Sequence, residues 1–250
     1  MTAARPSATA RTLNVAYGCY AWSAFTLGIT VAVIGIVLLP GVTRRRSWAA
    51  RCARAFFAAA GIRATVTDLD RLPNGPSVVV ANHASYLDGV VLQAFLPPHY
   101  SYVIKNEMQK VPVAHYFLRR IGSRFVERFK KSGGARDARQ LMRAADEGAS
   151  LAFFPEGTFI AEPGLGKFYL GAFATALKGA LPVVPVVIEG TRNILPAGRR
   201  LPRRGSLSVQ VLTPIATAAG TFETPRALAE AARQKILTVL PEPDLTEHPA

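Results

Sequence analysis

Three observations predict an α/β fold, a mixed sheet covered by helices, behind an N-terminal membrane-binding helical segment. From Gly61 onward short β-branched runs alternate with amphipathic stretches, the pattern of a sheet with helices on its faces. Two of those runs end in turns that carry histidine or acidic residues. A long uncharged apolar stretch precedes them all. The 250 residues divide accordingly into an N-terminal membrane-associated helix or helical hairpin over 1–60, an α/β domain over 61–240 and a flexible tail over 241–250.

The first element is set by the absence of charge. No charged residue occurs from Thr12 to Thr43, and the apolar stretch 16–39 would be about 36 Å long as a helix, enough to cross a bilayer. A secretory signal would have a shorter apolar region and a small-residue cleavage site, whereas here Pro40-Gly41 and Arg44-Arg45-Arg46 follow. Two arrangements stay open. If the helix spans, the excess of arginine after it places the larger C-terminal part in the cytoplasm. If Pro40-Gly41 turns the chain into a second helix over 45–60, with Trp48, Ala49, Cys52, Ala53, Phe56 and Phe57 as its apolar face, the pair can lie in one leaflet. Both deliver the remaining domain to the cytoplasmic face of a membrane.

After Gly61, strands are expected at 64–67, 77–81, 101–104, 124–126, 150–154, 183–188 and 207–212. Helices are expected at 86–96, 113–120, 135–147, 169–178 and 225–240. Pro73-Asn74-Gly75-Pro76 reads as a turn and 130–134 as a flexible connector.

Composition narrows the partners. Thirty Lys and Arg against sixteen Asp and Glu give a formal charge of +14, with basic residues in pairs and triplets. Nucleic acid and anionic lipid both offer dense negative charge. The membrane-length segment and the absence of a nucleic-acid recognition module favour lipid and exclude nucleic acid as a partner. Cys19 and Cys52 lack Cys-x-x-Cys spacing, so neither a disulfide framework nor a metal site is expected.

The residues that carry chemistry lie at strand ends. On a straight helix His83 and Asp88, five positions apart, would point about 140° away from each other. With His83 in the turn after the 77–81 strand and Asp88 in the first turn of the next helix, the imidazole can fold back. Asp88 would then hold one ring nitrogen as N–H and leave the other free to take a proton. The competing interpretation is a helix cap, since Ser85-Tyr86-Leu87-Asp88 is a Ser-x-x-Asp capping box. A second turn, Phe154-Pro155-Glu156-Gly157-Thr158, follows the 150–154 strand and should emerge at the same sheet end, where α/β sheets bind ligands.

Taken in order, four blocks resemble those of the glycerophospholipid acyltransferases, the lysophosphatidic acid acyltransferase (PlsC-like) family. They are Asn82-His83-x-x-x-x-Asp88, Gly122-x-x-Phe125-Val126-x-Arg128, Phe154-Pro155-Glu156-Gly157-Thr158 and Leu181-Pro182-Val183-Val184-Pro185-Val186. The resemblance implies transfer of a fatty acyl group from an acyl-CoA or acyl-carrier-protein thioester to the hydroxyl of a lysophospholipid. The implied acceptor is 1-acyl-sn-glycerol-3-phosphate, which would give phosphatidic acid. It implies His83 as general base, Asp88 as its orienting partner and Arg128 as a phosphate contact. Glu156, Gly157 and Thr158 would shape the acceptor pocket, and residues 182–186 would line the region of the acyl chain. It further implies no cofactor, because a thioester needs no activation by ATP. This accords with the lack of a Gly-x-x-x-x-Gly-Lys loop.

Many family members continue the third block with arginine, where this chain has Phe159. An aromatic ring cannot make a bidentate phosphate contact. Lys167 or Arg192 is the candidate replacement, and a different lysolipid acceptor is the alternative. A non-catalytic basic membrane-binding module would share the apolar N-terminus and the charge. Only turnover with an acyl thioester separates it from an enzyme.

Overall fold

A computed structural model describes residues 8–126, 141, 143, 148–218 and 221–246. Its helices are α1 (Ala8–Leu38), α2 (Val42–Ala59), α3 (Leu87–Phe95), α4 (Pro112–Arg120), α5 (Gly171–Lys178), the short α6 (Thr191–Ile194) and α7 (Pro225–Leu237). The strands are β1 (Arg63–Thr67), β2 (Val78–Ala81), β3 (Ser101–Lys105), β4 (Arg124–Val126), β5 (Leu151–Phe153), β6 (Val183–Glu189) and β7 (Ser206–Val211). The connector expected at 130–134 and Arg128 lie outside the described residues. Of the helix expected at 135–147 only Leu141 and Arg143 are described, both helical.

The sheet is mixed, in the order β1-β7-β6-β2-β5-β3-β4. β6, β2, β5, β3 and β4 run parallel. β7 is antiparallel to β6 and parallel to β1. Central strands of a sheet covered on both sides read as continuous apolar runs, and β2 shows why. Val79 and Ala81 join the core formed with Phe57, Val91 and Leu92 of α2 and α3. Val78 and Val80 join the core formed with Phe173 and Ala176 of α5 and Leu228 and Ile236 of α7.

α1 and α2 form a hairpin that lies on the first of these layers. The Tyr17 hydroxyl donates to the Ala60 carbonyl at 3.0 Å, and Trp48 Nε1 to the Val31 carbonyl at 3.2 Å. Gly35 permits this approach, because a Cβ there would stand 2.0 Å from Trp48 Nε1. The hairpin is tied to the domain by Arg46, which is buried. Its guanidinium donates to the carbonyls of Ile121, Pro98, His99 and Gly122 at 2.7 to 3.2 Å.

Residues 241–246, expected to belong to a flexible tail, are instead held against the loop before α5. Leu165 N–H donates to the Pro243 carbonyl, Leu245 N–H to the Leu165 carbonyl, and Arg233 pairs with Asp244. Backbone bonds of this kind fix a terminal segment that composition alone would leave free.

Candidate active site

β2 and β5 are parallel neighbours with Val80 opposite Phe153, so the turns that follow them leave the sheet at one end. Asn82 begins the first turn by extending the ladder with its side chain. Its Nδ2 donates to the Ile188 carbonyl at 2.8 Å, and its Oδ1 accepts from the Ile188 N–H at 2.7 Å. This amide stands in for a peptide unit and frees the backbone of His83 to turn away.

His83 occupies that turn, and Asp88 sits in the first turn of α3, fully buried. His83 Nδ1 lies 2.9 Å from Asp88 Oδ2. The same oxygen accepts the backbone N–H groups of Ala84 at 2.6 Å and Ser85 at 2.8 Å. A carboxylate oxygen that accepts from two N–H groups requires the imidazole to donate as well, which leaves Nε2 without its proton in the neutral ring. The cap and the histidine contact are therefore one structure: Asp88 closes the start of α3 and holds the imidazole with the same atom.

The second turn meets the first through Glu156. Its Oε1 accepts the His83 N–H at 2.7 Å, and its Oε2 accepts the Gly166 N–H at 2.9 Å. Burial pushes the Glu156 carboxyl up to about 7, and the Asp88 charge adds to this against the pull of the two N–H groups and Arg192. Gly157 has φ of 79°, a left-handed conformation that glycine adopts without strain, and its N–H closes the turn onto the Phe154 carbonyl at 3.0 Å. Phe154 stacks on the His83 ring at a centroid distance of 4.2 Å, and Phe159 meets it edge-on at 4.7 Å. Phe159 also packs edge-on against Tyr86 at 4.6 Å.

His83 opens onto a cavity of about 710 Å³ whose wall also includes Gly157 and Thr158. Much of the rest is apolar and comes from residues outside the motifs: Phe25, Gly28 and Ile29 of α1, Phe56 of α2, Val90 of α3 and Phe117 of α4. Sequence reasoning missed these residues. The available signal was the small side chains of Gly28 and Ala32, one helical turn apart on α1, which leave room beside the helix. Of residues 182–186, expected near the acyl chain, Pro182 is half-buried and 183–186 are buried in β6 within the cores, and none takes part in the cavity wall.

The candidate replacement cations are placed differently from one another. Arg192 is committed to Glu242, with Nε to Oε1 and Nη2 to Oε2 both at 2.9 Å, and Nη1 donates to the Ile160 carbonyl at 2.7 Å. Lys167 is exposed and lies outside the cavity wall. Among the described residues no group of three His, Cys, Asp or Glu side chains is arranged to hold a metal.

A 1-acyl-sn-glycerol-3-phosphate acyltransferase of Saccharomyces cerevisiae is 29% identical over 185 residues, covering 73% of this chain and 61% of that protein. One of Pseudomonas aeruginosa is 34% identical over 176 residues, covering 68% and 65%. A chloroplastic one of Brassica napus is 33% identical over 153 residues, covering 60% and 44%. The chain thus spans less than two thirds of the length of these relatives. The crystal structure of the 1-acyl-sn-glycerophosphate acyltransferase PlsC from Thermotoga maritima shares the fold, with a TM-score of 0.76 at 20% identity over 90% of this chain and 94% of that one. The acyltransferase family profile matches residues 63–189, just over half of the chain and both of the turns around His83 and Glu156, so the chain belongs to the acyltransferase family.

Proposed function

We propose that the chain transfers a fatty acyl group from an acyl-CoA or acyl-carrier-protein thioester to the free hydroxyl of 1-acyl-sn-glycerol-3-phosphate, giving phosphatidic acid. The observation that carries this reading is the 2.9 Å contact of His83 Nδ1 with buried Asp88, at the mouth of an apolar cavity. Nε2 takes the proton of the acceptor hydroxyl as its oxygen attacks the thioester carbonyl. The tetrahedral intermediate collapses with loss of the thiolate, which recovers that proton from the imidazolium. Asp88 keeps the ring in the reactive tautomer and stabilises the transient cation. Glu156 fixes the backbone of His83, and with Gly157 and Thr158 it shapes the acceptor side of the site. Arg128 and Lys167 supply positive charge for the acceptor phosphate. No cofactor takes part; the cavity holds the acyl chain.

The chain acts at a membrane surface, held by α1 in one leaflet on the cytoplasmic face. By length and composition residues Arg11–Leu38 could cross a bilayer. Yet the helix is bound to the domain at its middle and near its C-terminal end. Trp22 Nε1 donates to the Arg200 carbonyl, and Arg120 donates to the carbonyls of Ile36 and Val37. A helix held to one polar domain from its middle to its C-terminal end leaves too little free length to cross a hydrocarbon core of about 30 Å, which supports a monotopic arrangement.

One observation favours a second reading of the acceptor. Phe159 fills, beside His83, the position at which the resemblance places arginine, and Arg192 is spent on Glu242. A lysolipid recognised less through its phosphate fits that arrangement. The test is a panel of lysolipid acceptors offered with one labelled acyl thioester, as CoA and as carrier-protein conjugate, to detergent-solubilised protein. Transfer to 1-acyl-sn-glycerol-3-phosphate above the other acceptors supports the first reading, equal or better transfer to other lysolipids supports the second, and no transfer to any acceptor overturns both.

A further inference from the structure

α4 leaves apolar side chains exposed beside the face it packs on the core, where an ordinary surface helix is polar. Phe117 and Leu118 face inward, packed on the core and lining the cavity. Val113 and Tyr116, three residues apart, are 62% and 44% exposed, and Val113 also belongs to the cavity wall. The segment that leads into α4 continues this outer surface, with Met108 37% and Val111 49% exposed. Among the charged groups from Asn106 to Arg120, Glu107 is the single acid, against Lys105 just before it and Lys110, Arg119 and Arg120.

This surface does not stand alone. Arg120 Nη2 donates to the carbonyls of Ile36 at 3.3 Å and Val37 at 3.4 Å, while its guanidinium lies 5.9 Å from the centre of the Tyr116 ring. The outer side of α4 is thereby stitched to the end of α1, where Ile34 and Leu38 are exposed. Val42, at the start of α2, touches the position of Gly122 just beyond α4 and is exposed as well. One apolar surface rimmed by arginine and lysine therefore runs from α1 across to α4. The cavity reaches this surface: its wall joins Gly28 and Ile29 of α1 to the exposed Met108, Val111 and Val113 and to Phe117.

We propose that α4, together with the turn Asn106–Lys110, is a second membrane-inserting element beside α1, and that the seam between the two helices is the portal through which a lipid acyl chain enters the cavity from the leaflet. The partner is an anionic phospholipid surface. Its acyl region accepts Met108, Val111, Val113 and Tyr116, and its phosphates meet Lys110 and Arg119. The portal half rests on the acyl-transfer reading; the insertion half does not.

The experiment uses the full chain with Cys19→Ser and Cys52→Ser, carrying an environment-sensitive fluorophore at a single introduced cysteine. The sites are Val113→Cys or Tyr116→Cys on α4, Ile34→Cys on α1 and Arg226→Cys on α7 across the sheet. On vesicles of phosphatidylcholine with a minority of phosphatidylglycerol, the labels at 113 and 116 should shift to the blue and be quenched by nitroxide on the lipid acyl chain. They should respond as the label at 34 does, while the label at 226 stays in water. Labels at 113 and 116 that remain aqueous while 34 responds overturn the insertion of α4. Silence at all three overturns the shared surface. A blue shift without vesicles that grows with protein concentration means that a second copy covers the face, and it too overturns the proposal.

The portal is tested with Val113→Asp/Tyr116→Asp. Turnover should fall several-fold for a long-chain acceptor presented in vesicles and much less for a short-chain acceptor free in solution. Equal losses on both overturn the portal. Quenching at 113 and 116 in a protein that transfers no acyl group to any acceptor would sink the acyl-transfer reading and leave the membrane surface standing.

Discussion

The backbone N–H of His83 donates to Glu156 Oε1 at 2.7 Å, so a single hydrogen bond closes the two turns that end β2 and β5. The other oxygen of Glu156 holds Gly166, which brings the loop before α5 to the same point. A glutamate in this position does not need to touch a substrate to matter. It sets the backbone from which the imidazole projects.

The Glu156 carboxyl titrates near 4.5 in the unfolded chain and about 7 in the folded one, so between these values the folded state holds a proton that the unfolded state has released. The stability due to this group is complete below about 4.5 and is lost as pH rises through about 7. Relative to Glu156→Gln, the wild-type unfolding free energy should fall by on the order of 2 kcal/mol across that window. Chemical denaturation of both proteins at several pH values measures it, and parallel profiles would show that Glu156 is not perturbed.

Asp88 Oδ2 serves three donors, the His83 ring and the N–H groups of Ala84 and Ser85. Asp88→Asn should lower turnover roughly 10²- to 10⁴-fold by releasing the tautomer. The weakened cap should also cost about 1 to 3 kcal/mol of stability. Turnover that follows stability alone, and recovers when the protein is restabilised by lower temperature, would reduce Asp88 to a cap.

Much of this was legible from residue order. The seven strands fall within a residue or two of their expected bounds, because β-branched runs between Gly and Pro are strong signals. The strand order was not legible: a parallel run such as Val78 to Ala81 records that both faces are covered but not which strands lie beside it. For the same reason Val183 to Val186 reads alike whether it lines a cavity or fills a core, and here it fills the core. Charge was the other blind spot. Arg46 sits in a triplet that reads as a solvated membrane flank, yet it is the internal clamp of α2. Arg192 reads as a free cation because its partner, Glu242, is 50 residues away.

Arg46 meets four carbonyls and no carboxylate among the described residues, so its removal strands several buried acceptors at once. Arg46→Met should destabilise the protein by about 3 kcal/mol. The partition of the folded variant onto anionic vesicles should change little. A loss of membrane binding larger than the loss of stability, compared by flotation and melting, would return Arg46 to the membrane surface.

The Arg192–Glu242 pair joins α6 to the C-terminal segment and, through Ile160 and Gly164, to the loop near the site. Single truncations, Arg192→Ala and Glu242→Ala, should be strongly non-additive, with a coupling of about 0.5 to 3 kcal/mol in a double-mutant cycle. Additive losses would mean that the two residues act separately and that Arg192 is available to a substrate.

The most direct measurement is single-turnover transfer from a labelled acyl thioester to 1-acyl-sn-glycerol-3-phosphate by the wild type and by His83→Ala, with circular dichroism on both proteins. Wild-type transfer reduced roughly 10³-fold or more in a variant of unchanged spectrum is the predicted result. Transfer by His83→Ala at the wild-type rate would contradict the assignment of the imidazole as the base.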